Sequence, residues 1–286
     1  MWRRKNQCTA DRGFCVMAFC DLADGLRLHY ESFGEDTDRP AIIFLNGTAQ
    51  TTTNWRPMAL GFKNRCRVVL YDARCQGRSG CSAGYLTLAQ HAYDLVQLLD
   101  HLEIERCGLV GLSHGARVGL AAAGRMERRI AGLVLLSIGL SSSARMARAV
   151  AAWCEALASG GLDALMHAMM PLVFGERFLR ENDAIMTKVA EALVQRNDEA
   201  KMVRLLSAFD SYPANEDILP AHRLPSLVMT GEDDPLVSGD QARALAEQLG
   251  GDFRSLPDIG HSIPAEAPEV LMREIEVFFQ LEPVQQ

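Results

Sequence analysis

The apolar run Cys107-Gly108-Leu109-Val110-Gly111 turns, at Ser113, into a stretch rich in small residues: Gly115, Ala116, Gly119, Ala121, Ala122 and Ala123. A continuous apolar run of this length reads as a strand covered on both faces, and a helix of small side chains can lie close against a sheet. With almost no loop between them, Ser113 must turn the chain. Gly111 and Gly115, two residues before and two after it, remove side chains that so sharp a turn would drive into its neighbours. The pattern Gly111-Leu112-Ser113-His114-Gly115 therefore predicts strand, exposed serine and helix in succession, and restricts the chain to sheets packed under helices.

The same alternation recurs on both sides of this turn. Residues 14–21 and 25–33 read as a hairpin around Ala23-Asp24-Gly25, where Gly supplies the positive φ of a tight turn. Residues 41–45 and 67–71 are apolar strands ending at Asn46-Gly47 and Asp72, with a short helix expected over 54–62 between them. Thr87 and Gln90 have the spacing of a capping box before a helix whose apolar side is Leu88, Leu95, Leu99 and Leu102. Residues 131–137 form the next strand, and then the rhythm stops. Residues 140–222 are helical in pattern, with Met146, Met166, Met169, Met170, Met186, Met202, Trp153, Phe174 and Phe178 as an apolar but soft set. The alternation resumes at Leu227-Val228-Met229 and ends in a helix begun by Pro268. Repeated strand and helix units imply an α/β sheet with right-handed crossovers, and 286 residues suit one such unit with an insertion. The expected organisation is a core in two pieces, 1–139 and 223–286, interrupted by a helical cap at 140–222.

Charge and cysteine usage remove other classes. The chain has 29 basic and 36 acidic residues, a net −7, and its one basic cluster is Arg3-Arg4-Lys5, so no nucleic-acid partner is expected. Asn6, Gln7, Thr9, Asp11 and Arg12 interrupt the place of a secretory apolar segment, and no stretch approaches 18 uncharged apolar residues. The expectation is no membrane span and a cytoplasmic location. Cys8, Cys15, Cys20, Cys66, Cys75, Cys81, Cys107 and Cys154 form no CxxC pair and have no histidine at zinc-finger spacing. Reduced thiols, no metal site and no cofactor are therefore expected.

A serine hydroxyl is a weak nucleophile without a base, and the base needs an acid to hold its tautomer. Gly260-His261-Ser262 follows the last strand-like run, and Gly231-Glu232-Asp233-Asp234-Pro235 follows the strand before it. Both positions are at strand ends, where crevices form in parallel sheets. Of the other histidines, His29 belongs to the hairpin, His91 and His101 to a helix, His167 and His222 to the cap or its margin, and His114 follows the serine. The expected triad is Ser113, Asp234 and His261, with Asp234 preferred over adjacent Asp233. Acyl transfer also needs two donors for the developing oxyanion, and the expected pair is the backbone N–H groups of His114 and Thr48. Asn46, Gly47, Trp153, Met169, Met170 and Phe174 are the expected substrate-lining residues.

Together these segments resemble the α/β-hydrolase superfamily. The resemblance rests on Asn46-Gly47-Thr48, Asp72-Ala73-Arg74-Cys75-Gln76-Gly77-Arg78-Ser79, the turn at 111–115, the 231–235 segment and Gly260-His261. It implies a mostly parallel sheet flanked by helices, with an inserted helical cap. Two departures stand out: Asn46-Gly47 where the family usually has His-Gly, and Arg74-Cys75-Gln76-Gly77 where it usually has Arg-Gly-x-Gly. The Asn-Gly form, followed by Thr51-Thr52-Thr53, also resembles the hydroxyacyl-joining enzymes of rhamnolipid synthesis.

The implied activity is hydrolysis of an ester or thioester through an acyl-enzyme. The substrate is a small acyl compound, with coenzyme A or an acyl carrier protein as candidate carriers. Transfer to an alcohol, lactone or carbon-carbon bond hydrolysis, and a non-catalytic binding protein are the alternatives.

Overall fold

A computed structural model describes residues 15–34, 37–82, 84 and 86–281. The expected start of the hairpin at Phe14, the basic cluster Arg3-Arg4-Lys5 and Cys8 lie outside the described residues. Eight strands form one sheet: β1 (Cys15–Asp21), β2 (Arg27–Phe33), β3 (Ala41–Leu45), β4 (Val68–Tyr71), β5 (Cys107–Leu112), β6 (Ile130–Leu136), β7 (Ser226–Gly231) and β8 (Asp252–Leu256). Their order is β1-β2-β4-β3-β5-β6-β7-β8. β1 and β2, and β2 and β4, pair antiparallel, and every other neighbour is parallel. Strand side chains alternate between two faces, and the core divides accordingly. Ile43, Leu45, Leu109, Leu133 and Leu135 join one buried cluster, while Ile42, Phe44, Val110, Leu112, Val134 and Leu136 join the other.

Helices α1 (Thr52–Phe62), α2 (Leu88–His101) and α3 (His114–Ala123) follow β3, β4 and β5. α1 buries Trp55, Met58 and Phe62 on one face of the sheet, and α2 and α3 bury Leu95, Leu98, Val118 and Leu120 on the other. The Thr87 hydroxyl accepts from the Gln90 N–H at 3.1 Å, so the start of α2 is as expected. The reciprocal half of that capping box is not made, and the Gln90 side chain donates through Nε2 to Asp94 Oδ1 at 3.1 Å.

β6 and β7 are adjacent parallel strands, and the chain between them is α4 (Ala144–Val173), α5 (Glu176–Arg196) and α6 (Glu199–Ala208) with two short 3-10 turns. α4 is long and apolar enough to cross a bilayer by length and composition alone, which the sequence reading did not anticipate. Gly160 and Gly161, the latter at φ 68°, break its helical path, and Trp153, Leu157, Leu165 and Met166 belong to the buried cluster. The core closes with α7 (Gly239–Leu249), α8 (Ile263–Glu266) and α9 (Pro268–Phe278).

The expectation of reduced thiols is corrected at one place, where Cys75 and Cys81 form a disulfide. Cys75 takes φ 64° and its N–H donates to the Gly80 carbonyl at 2.9 Å, so the chain doubles back and sets the two side chains together. Cys20, Cys66, Cys107 and Cys154 are free. Burial pushes the Cys107 thiol up to about 12 and those of Cys20 and Cys66 to about 11, so these three are inert as nucleophiles at neutral pH.

Candidate active site

Ser113 stands at the C-terminal end of β5 as the residue before α3, with φ 51° and ψ −111°. Such a conformation costs a non-glycine residue about 1–3 kcal/mol and persists only where the surroundings hold it. They do so here: the Ser113 N–H donates to the Leu136 carbonyl at 2.9 Å. A Cβ on Gly111 would lie 2.7 Å from the Ala116 nitrogen, and one on Gly115 would meet the Leu45 and Asn46 carbonyls. The two glycines are what let the turn pass between β3 and α3.

Asp234 follows β7 and His261 follows β8, and they meet: His261 Nδ1 is 2.8 Å from Asp234 Oδ2. The other oxygen, Oδ1, accepts from the Leu236 and Val237 N–H groups at 2.8 and 3.1 Å. The Asp234 carboxylate is therefore held from both sides, and Asp233 is exposed. With Nδ1 donating to the carboxylate, Nε2 is the nitrogen free to accept a proton. The loop itself is pinned by two groups that the sequence did not reveal. Ser137 Oγ donates to the His261 carbonyl at 2.7 Å. Glu266 accepts from the N–H groups of Gly260 at 2.9 Å, Ser262 at 3.1 Å and Gly175, between α4 and α5, at 2.9 Å. Glu266 lies five residues after His261, a spacing with no periodic meaning until α8 turns it back.

Thr48 and His114 line the space beside Ser113. Neither backbone N–H is engaged in a hydrogen bond among the described residues, and that of His114 opens α3, where the helix dipole favours negative charge. The Thr48 loop is fixed by Gln76 Nε2 donating to the Gly47 carbonyl at 2.8 Å and by the Gly47 N–H donating to Gln50 Oε1 at 2.9 Å. The His114 ring is buried, its centroid 4.9 Å from that of His91 and 5.4 Å from that of Phe209. Burial holds its pKa well below the usual histidine value, so the ring is neutral.

One expected lining residue is corrected. Asn46 turns away from the site, donating through Nδ2 to the Tyr71 carbonyl at 3.0 Å and to Asp72 Oδ1 at 3.3 Å. Asp72, at the end of β4, also accepts from the Thr52 and Arg78 N–H groups at 2.8 and 3.0 Å, so Asn46 serves a loop junction. Gly47 does line the site, as do Trp153, Met169, Met170 and Phe174.

Two cavities open on Ser113. The first, about 250 Å³, also contains His261 and is walled by Met166, Met169, Met170, Phe174 and Phe178. The second, about 340 Å³, has a different wall: Arg117, Ser137, Tyr212 and Asn215 beside the ring of His114. Thr48 and Trp153 border both. Arg117 and Tyr212 were not legible as site residues, although Arg117 lies one helical turn beyond Ser113. Among the described residues, no group of three or more His, Cys, Asp and Glu side chains could hold a metal ion.

A family model described as the Alpha/beta hydrolase family matches residues 42–274. The 3-oxoadipate enol-lactonase 2 of Acinetobacter baylyi is 25% identical over 256 residues, which cover 89% of this chain and 93% of that protein. RutD of Variovorax paradoxus, whose carbamate hydrolase assignment is provisional, is 31% identical over 254 residues, covering 87% and 94%. The solved structure of the enol-lactonase from Burkholderia xenovorans LB400 superposes with a TM-score of 0.79 at 26% identity, covering 92% of this chain and all of that one.

Proposed function

This chain belongs to the alpha/beta hydrolase family, and on that premise we propose that it is a serine-dependent hydrolase of carboxylic esters whose apolar acyl group occupies the methionine-lined cavity. His261 Nε2 takes the Ser113 proton as Oγ attacks the acyl carbon, and the oxyanion sits against the N–H groups of Thr48 and His114. His261, oriented by Asp234, returns the proton to the departing alcohol oxygen and then activates water to release the acid. The segment 140–222 acts as the cap that supplies the acyl wall. The observation that carries this reading is the opening of Ser113 and His261 into one cavity walled by Met166, Met169, Met170 and Phe174. Met side chains adapt to flexible chains, and each buried methylene is worth about 0.8 kcal/mol.

The test is a straight-chain p-nitrophenyl ester series. kcat/KM should rise about threefold per methylene from acetate to roughly hexanoate, then level off as the cavity fills. A flat profile, or one that falls steadily from acetate, overturns the apolar acyl assignment. A second reading is favoured by the two enol-lactonases among the similar proteins. A lactone is a cyclic ester, and the same attack by Ser113 opens it. Lactone turnover at a higher kcat/KM than the matched linear ester would select that reading.

A further inference from the structure

The second cavity beside Ser113 holds polar groups that the protein itself does not satisfy. Arg117 follows Ser113 by one helical turn, and its own N–H donates to the Ser113 carbonyl at 3.0 Å, so its side chain leaves α3 on the side of the serine. Its Nε donates to Asn215 Oδ1 at 3.0 Å and one terminal nitrogen to the Pro213 carbonyl at 2.7 Å, and the guanidinium lies 5.3 Å from the Tyr212 ring centroid. These partners are all neutral. Among the described residues no carboxylate pairs with Arg117, and its second terminal nitrogen has no protein acceptor. Fully buried Arg74 shows the contrast, with Asp94 bonded to it twice at 2.7 Å and Asp24 at 2.8 Å. Asp210, the acidic residue on the rim, is exposed and makes no ion pair with Arg117. Arg117 is half-buried, and that burial lowers its pKa.

Two residues that line the same space carry further donors. Trp153 Nε1 and the Tyr212 hydroxyl have no hydrogen-bond partner, although these residues are only 4% and 9% exposed. An indole N–H can only donate. A guanidinium with an open nitrogen and two buried unpartnered donors match one ligand chemistry, a carboxylate, whose two oxygens offer about four acceptor sites.

We infer that the cavity around Arg117 is a carboxylate subsite, and that the substrate is an ester of an apolar acid with an alcohol or phenol that itself carries a carboxylate. The inference rests on the ester hydrolase reading: with the acyl chain in the methionine cavity, the portion that reaches Arg117 is the leaving group. Water enters and the two products leave as two carboxylic acids, one of them hydroxylated. Arg117, Trp153 and Tyr212 hold the second acid and take no part in bond breaking.

The test compares 4-carboxyphenyl hexanoate with its neutral partner, 4-carbamoylphenyl hexanoate, in the whole chain. The wild-type kcat/KM should favour the carboxylate by about tenfold or more, the scale of one charge-assisted hydrogen bond, and chiefly through KM. In Arg117→Met the ratio should fall to about one. Because Arg117 also holds the 213–215 turn, Trp153→Phe gives an independent reading: it deletes one donor, keeps an aromatic side chain, and should reduce the ratio about threefold. Equal rates on both hexanoates in the wild type overturn the carboxylate subsite and leave the ester hydrolase reading standing, as does a preference that survives Arg117→Met. No turnover of either ester overturns both.

Discussion

The two sides of Ser113 are built on opposite principles. On the core side, carboxylates at strand ends are saturated: Asp72 accepts from the side chains of His29 and Asn46 and the N–H groups of Thr52 and Arg78, and Asp234 accepts from His261 and two backbone groups. On the side of the inserted helices, the wall is methionine and aromatic carbon. A saturated network has one arrangement, and every member of it constrains the others. Methionine walls have many arrangements of nearly equal energy. Replacing a core residue should therefore cost rate on every ester, whereas replacing a helical residue should alter which ester is preferred.

The largest expected effect is on the core side. Ser113→Ala should lower turnover by about six orders of magnitude while leaving the thermal midpoint nearly unchanged, and a fluorophosphonate probe should no longer label the protein. Asp234→Asn should lower kcat by about four orders on all chain lengths alike, against a change of less than about twofold for Asp233→Asn. Losses of equal size at the two aspartates, measured in the same ester series, would break the claim that one is fixed and the other solvated.

The boundary between the regions carries a pH effect. Burial lowers the pKa of His91 to about 3, with the charge of Arg74 adding to the shift, and it holds His114 well below its ordinary value. Both are neutral when folded, but the unfolded chain takes up their protons below about pH 6.5. The unfolded state then binds more protons, so stability is fully present above that pH. It should fall by about 1.4 kcal/mol per unit for each histidine as the pH drops toward 3. Urea titrations from pH 7 to 4 measure this slope, and His91→Phe should make it shallower by about one proton. An unchanged slope would show that His91 does not contribute.

The smallest effect belongs to the helical side. Met170→Ala enlarges the acyl cavity and should reduce the preference for hexanoate over acetate about fivefold, the scale of one lost methylene or two. A uniform loss on both esters would mean that the helical wall positions the reacting groups after all, and the contrast between the two sides would dissolve.

How much of this was legible depends on the range of the interactions. The turn at Ser113 could be read because its requirements are local: two glycines and a strand-to-helix switch within a few residues. Strand positions came from apolar runs, and Asp234 and His261 from their places after strands. Asn46 was misread because its direction depends on Asp72, which a separate strand brings beside it. The Cys75–Cys81 link escaped because it depends on the left-handed turn at Cys75. Arg117 and Glu266 are ordinary charged helix residues in sequence, and their partners at Pro213, Asn215, Gly175 and Gly260 are assigned only by the tertiary fold.

Gly175 and Gly260 approach so closely that a side chain on either would strike the other's backbone, and Glu266 clasps both amides. The inserted helices are thus joined to the core here as well as where the chain enters and leaves, and Asn197, Lys201 and Arg204 add bonds to the carbonyls of Ala49, Gly77, Ser79 and Gly84. For recombination this makes the insertion less portable than its two chain ends suggest. A foreign helical segment spliced in at residues 139 and 223 brings its own selectivity, but it must also offer a glycine and a free amide at the position of Gly175. A chimera lacking them has the donor's pocket over a loosened His261, and its lost activity would be misread as incompatibility of substrate.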